Sequence, residues 1–235
     1  MICLPIDYAE LKTLYRQIIG SHISSVALTS ATGAAGVTVL SIALAERAAL
    51  DGKRVLLIDM NLASPQLQTH FHADRSDWTP DNDDWKQAVF ETPISGVWLL
   101  PASTNASHPT FQSYKALSQF LSEIEECYDL AIMDCSPLQK LNQNNVPPDI
   151  LCSVASGALL CVLTGRCLEN QILSAKDQLL MGNVNLLGAV MNDHFAPLLH
   201  DELLREVDRL QTFFPRIAKK LRRWVTSVRL FNQDI

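Results

Sequence analysis

The stretch that most restricts the fold runs from Ile23 to Thr38: Ile-Ser-Ser-Val-Ala-Leu-Thr-Ser-Ala-Thr-Gly-Ala-Ala-Gly-Val-Thr. Val26 to Leu28 form an apolar run suited to a strand. Thr29 to Gly36 are all small residues. From Thr38 a helical pattern begins, with Val39, Leu40, Ile42, Ala43 and Leu44. A strand, a loop without bulky side chains and a helix start, in that order, make a turn whose backbone N–H groups and helix dipole face an anion. The spacing follows G-x-x-x-x-G-K-[ST] at Gly36 and Thr38. Ala31 stands at the first glycine position and Val37 at the lysine.

The rest of the chain repeats the strand-then-helix alternation. Lys53–Asp59, Val97–Pro101, Tyr128–Asp134, Gly157–Leu163 and Val184–Met191 read as further strands. Val55 to Ile58 is continuously apolar, which suits a strand covered on both faces. Tyr8–Ile19, residues 38–50, Phe111–Cys127 and Cys167–Met181 read as helices. Shorter ones are expected at Asp84–Phe90 and after Val146-Pro147-Pro148. Asp74–Asp84 is polar, acidic and contains Pro80, and is expected to be a surface loop. Six strands alternating with helices predict an α/β fold: three layers around a doubly wound, mainly parallel sheet. This domain is expected over residues 1–195, with a helical extension over 196–235.

Composition narrows the function classes. No apolar run approaches the roughly 20 residues of a membrane span, and Met1 to Tyr8 lacks a signal-peptide core. The six cysteines (Cys3, Cys127, Cys135, Cys152, Cys161, Cys167) show no metal spacing, so reduced, packed thiols and a cytoplasmic setting are expected. The six histidines form no metal or base constellation either. Net charge is −6, unevenly spread: residues 214–235 carry six basic residues against Asp234, a net of +5, and the remainder sums to −11. Within that tail Ile217, Leu221, Trp224, Val225 and Val228 share a helical face opposite Lys219, Arg222 and Arg223. A basic amphipathic helix of this kind suits an anionic membrane surface or a partner, or packs on the body as a solvated helix. An acidic body without a recognition motif gives no expectation of nucleic acid.

Four segments together resemble the bacterial tyrosine kinases of capsule and exopolysaccharide synthesis, within the larger group of partition-type and division-site (ParA/MinD-like) P-loop ATPases. The first is the loop. The second is Val55-Leu56-Leu57-Ile58-Asp59-Met60-Asn61-Leu62-Ala63-Ser64-Pro65, similar to a strand ending in Asp-x-Asp-x-Arg. The third is Tyr128-Asp129-Leu130-Ala131-Ile132-Met133-Asp134-Cys135-Ser136-Pro137, similar to Tyr-Asp, a hydrophobic run and Asp-x-Pro-Pro. The fourth is Gly188-Ala189-Val190-Met191-Asn192. The resemblance covers roughly residues 8–195.

It implies a nucleotide site of Thr32, Gly33, Gly36, Thr38, Asp59, Asp134 and Asn192. Thr38 and Asp134 would hold Mg²⁺ if ATP or ADP binds, and Asp59 would act if the chain is active. It also exposes losses. Val37 replaces the loop lysine, Thr32 stands where the signature lysine of partition ATPases falls, Asn61 replaces the second acid and Ala63 the arginine. The tyrosines Tyr8, Tyr15, Tyr114 and Tyr128 leave none near the C-terminus, where the kinases carry their autophosphorylated cluster. Removing one charged transition-state contact costs on the order of 10²-fold or more in rate. The expectation is therefore a non-catalytic P-loop protein, a regulatory or scaffolding subunit beside a membrane polysaccharide synthesis or export protein or a kinase partner. It would sit in the cytoplasm or at the inner face of the membrane. The alternative is a working ATPase switch that dimerises on ATP and reaches the membrane through its tail.

Overall fold

The computed structural model describes residues 4–139 and 145–193, with Val207 and Leu221 beyond them. The tail helices expected after residue 196, and the membrane role given to residues 214–235, otherwise lie outside the described residues. The chain divides into two compact units, Met1–Leu163 with Cys167–Asn192, and Thr164–Arg166 with Asp193–Ile235. The site lies in the first.

Seven strands build that unit: β1 Ser25–Ser30, β2 Val55–Asp59, β3 Phe90–Glu91, β4 Val97–Leu100, β5 Leu130–Asp134, β6 Gly157–Leu163 and β7 Leu186–Asn192. Their order in the sheet is β3-β4-β2-β5-β1-β6-β7. All neighbours are parallel except β3 with β4. The helices are α1 Ala9–Gly20, α2 Val37–Leu50, α3 Leu67–Phe71, α4 Asp84–Ala88, α5 Tyr114–Cys127, α6 Pro148–Val154 and α7 Glu169–Met181. The α/β, doubly wound architecture expected from the alternation is the one present.

Alternation along each strand assigns its side chains to one of two cores. Val26 and Leu28 of β1, with Val55 and Leu57 of β2, pack against α1 and α2, whose Leu11, Tyr15, Leu40 and Leu44 are buried beside them. Ala27, Leu56 and Ile58 point the other way, into a core with Phe120 and Ile124 of α5, Leu151 of α6 and Leu179 of α7. Every residue of β1, β2, β5 and β6 is buried. Edge strand β7 is half-exposed along its length.

The structure corrects three expectations. Among the described residues there are seven strands, because Phe90–Glu91 adds a two-residue antiparallel edge on Leu99 and Trp98. A short helix, α3, forms in the stretch after β2 that carried no helical pattern. Asp74–Asp84 is not simply a surface loop. Trp78 within it is 1% exposed, stacks on Phe120 at 5.6 Å and meets Phe111 edge-on at 5.3 Å. Its indole N–H donates to the Pro101 carbonyl at 2.9 Å. The acids around it stay in solvent while one aromatic ring anchors the segment, a burial that average polarity conceals.

Candidate functional site

Strands β1, β2 and β5 end side by side with β5 in the middle, and in a doubly wound sheet the crevice beyond such strand ends is the ligand position. The loop between β1 and α2 borders it. Gly36 caps α2 with φ +84, and Ala34 has φ +62. Two left-handed residues so close together turn successive N–H groups toward one concavity, an anion-binding arrangement. Gly36 is fixed twice over, because a Cβ there would lie 2.6 Å from Asn192 Nδ2. That same Nδ2 donates to the Ala35 carbonyl at 3.0 Å. The end of β7 thus holds the loop in shape by contacts internal to the protein.

A cavity of about 540 Å³ opens at this point. Gly33, Gly36, Thr38 and Asp134 line it. Thr32, Asp59 and Asn192 do not. Asn192 is the loop anchor just described. Asp59 is fully buried, and its carboxylate caps the chain that follows: Oδ1 accepts from the Asn61 N–H at 3.2 Å, and Oδ2 from those of Gln66 and Leu67, each at 3.0 Å. Both oxygens of Asp59, the residue expected to act if the chain is active, are thus taken up by main-chain N–H groups in this structure. Its oxygens hold the start of α3, and they explain why a helix forms there.

Asp134 lies opposite Asp59 in the β2–β5 register. Its Oδ2 accepts from the Thr38 hydroxyl at 2.6 Å. Burial raises its pKa from the usual carboxylate range, the Asp59 charge raises it further, and the Thr38 hydroxyl opposes both. Asp59 is also raised by burial, against the pull of the Leu67, Asn61 and Gln66 N–H groups and the Arg75 guanidinium. The two carboxylates therefore resist carrying two charges at once.

Val37, at the lysine position, is 8% exposed and packed among the aliphatic side chains of α1 and α2. Among the described residues that line the cavity there is no lysine or arginine. Its carboxyl groups are those of Glu46 and Asp134. Asn61 and Ala63, expected around the nucleotide position, line the cavity; sequence reasoning missed Ser64, Gln66 and His70 beside them, and the contributions of Ser30, Glu46 and Asn145. The place of Gln66 and His70 on the wall follows from the Asp59 cap on the Gln66 and Leu67 N–H groups. Asn145 arrives from a distant connection and carries no local signal. Burial lowers the pKa of His70, the His72 charge acting in the same direction. Cys135, beside Asp134, is buried, and burial pushes its thiol well above the ordinary value, which leaves it inert rather than nucleophilic.

The residues fit the group this fold class implies only in part. Thr38 and Asp134 suit a divalent cation, and the loop N–H groups suit a phosphate. Among the described lining residues, no lysine or arginine supplies the positive charge that the outer phosphates of a nucleoside triphosphate require.

Strand-end carboxylates, a glycine-capped loop and a doubly wound sheet define a P-loop fold. The chain belongs to the AAA domain family, whose model matches residues 23–148, as a P-loop relative of the bacterial tyrosine kinases. It is 28% identical over 176 residues to the tyrosine-protein kinase YwqD of Bacillus subtilis, covering 73% of each chain. Its fold is similar to that of the BceF tyrosine kinase domain, at TM-score 0.62 and 25% identity, covering 77% of this chain and 74% of that one. It is also similar to the septum site-determining protein MinD of Pyrococcus horikoshii complexed with Mg-ADP, at TM-score 0.60 and 18% identity, covering 74% and 71%. Among the described residues no helix is long and apolar enough to cross a membrane.

Proposed function

We propose that the chain is a non-catalytic P-loop subunit that regulates or scaffolds bacterial exopolysaccharide or capsule synthesis or export, beside a membrane protein or an active kinase. One observation carries this reading: Val37 is packed into an aliphatic core where a phosphate-binding lysine would stand, in a cavity whose described lining offers carboxylates and no Lys or Arg. Supporting it, Asp59 is occupied by backbone N–H groups, and Thr38 is closed onto Asp134. The relatives named as tyrosine kinases, with the four-segment resemblance to the capsule and exopolysaccharide kinases, support the polysaccharide context.

The expected outcome with radiolabelled ATP and Mg²⁺ is neither hydrolysis nor phosphotyrosine. Turnover by the native chain that disappears in Asp134→Asn would sink the reading. The retained Thr38 and Asp134 favour a second one, a nucleotide-responsive switch of the MinD type that dimerises with Mg-ATP. Dimerisation on addition of Mg-ATP, followed by light scattering, distinguishes the two.

A further inference from the structure

The basic stretch at residues 214–235 plays no part in the strand-end site. We infer that a groove between α6 and α7 is the docking surface for this stretch of a second copy of the chain. The contact is independent of nucleotide and of any activity at the loop.

Helix α7 carries more apolar surface than its own core takes up. It packs on the same core as α5. In α5, Leu117, Phe120, Leu121 and Ile124 are all buried. In α7, Ala175 and Leu179 are buried, while Leu173, Leu180 and Met181 stand 50%, 51% and 88% exposed. Beside them lies an open groove of about 730 Å³, whose lining includes Asp149 of α6 and Asn170, Leu173, Ser174, Asp177 and Met181 of α7. Asp149 and Asp177 make no ion pair among the described residues. No lysine or arginine lines the groove, and Lys176, the cation of α7, lies outside the lining. An apolar surface beside two carboxylates fits a helix that is apolar on one side and cationic on the other.

The sequence supplies such a segment. Ile217, Leu221, Trp224 and Val228 recur at helical spacing beside Lys219, Arg222 and Arg223, in a stretch of net charge +5. As a helix, Ile217 to Val228 would span about 17 Å, against about 20 Å for the 13 residues of α7. Charge selects this occupant over a second α7, which would bring its own Glu169 and Asp177 against Asp149 and Asp177. The single chain leaves Leu173 and Met181 open to solvent, which assigns the contact to a neighbouring copy. Groove and segment are different patches, so two copies that exchange segments satisfy both contacts and close as a dimer.

The test is sedimentation velocity on the full chain in EDTA without nucleotide, over a range of concentration and salt. A dimer is expected, and it should weaken as salt rises. Two variants reverse the two sides: Ser174→Lys with Asp177→Lys in the groove, and Arg222→Glu with Arg223→Glu in the segment. Ser174 and Asp177 are exposed, so the groove variant should keep the native melting temperature. Each variant alone should self-associate about tenfold or more weakly than the native chain. An equimolar mixture should recover the dimer, because each variant then meets opposite charge at both contacts. The inference is overturned if the native chain is monomeric throughout, if either variant dimerises as the native chain does, or if the mixture stays monomeric. Flotation of the native chain on phosphatidylglycerol vesicles with no dimer in solution assigns the stretch to a membrane and overturns it too. A dimer that forms only with Mg-ATP also overturns it, and supports the nucleotide-responsive switch instead.

Discussion

Asp59 and Asp134 face each other across adjacent strands, yet they do different work. Asp59 accepts three backbone N–H groups and is walled off from the cavity. Asp134 accepts one hydroxyl and stands at the cavity edge. The same side chain, one strand apart, is a structural cap in one case and a site group in the other. Position at a strand end locates a carboxylate near a crevice, but its hydrogen-bond partners decide whether it can act there.

Replacing Asp59 by Ala tests the structural half of this contrast and should have the largest effect. It leaves three main-chain donors without their acceptor, and a loss of about 3 kcal/mol is expected by urea denaturation. A loss below about 1 kcal/mol would show that the cap matters little. Gly36→Ala comes next, at about 2 kcal/mol, from the left-handed backbone and the 2.6 Å approach to Asn192. In a double-mutant cycle, Asn192→Ala should recover part of that loss. Strict additivity would contradict the contact.

Asp134→Asn sharpens the other half. The folded pKa of Asp134 lies above its ordinary 3.8. Its protonated form therefore favours folding. That contribution is full below the ordinary value and fades as pH rises through the folded one. The Asn variant should be at least as stable as the native chain at pH 8 and lose much of the native gain on acidification. An unchanged pH profile of melting temperature would refute the assignment. The smallest change is expected from Val37→Lys: about 1 kcal/mol less stable from a charge placed in an aliphatic setting, with Mg-ATP bound about tenfold more tightly by calorimetry. Affinity equal to the native chain would mean that the lysine is not the missing element.

The parts of this molecule that sequence reading reached are those whose cause is local. Strands β1, β2, β5 and β6 are continuous apolar runs because both their faces are covered, and that cause is written in each segment. The loop glycine Gly36 and the lysine position held by Val37 follow from spacing alone. Strand β3 was out of reach because two residues become a strand only through Leu99 and Trp98. Helix α3 was out of reach because its start depends on a carboxylate seven and eight positions upstream. Trp78 sat in an acidic stretch whose average polarity pointed outward. The cavity wall combines these cases, since Gln66 and His70 reach it only once Asp59 has turned the chain.

The bond between Asn192 and Ala35 spans 157 positions of sequence. Such long-range closures form late, after the elements between them have docked. A nascent chain that has emerged only through β6 carries every residue of the loop but not the amide that shapes it. The anion-binding concavity is therefore expected to be among the last features to mature during synthesis. Ligand binding would then report that the whole unit has folded.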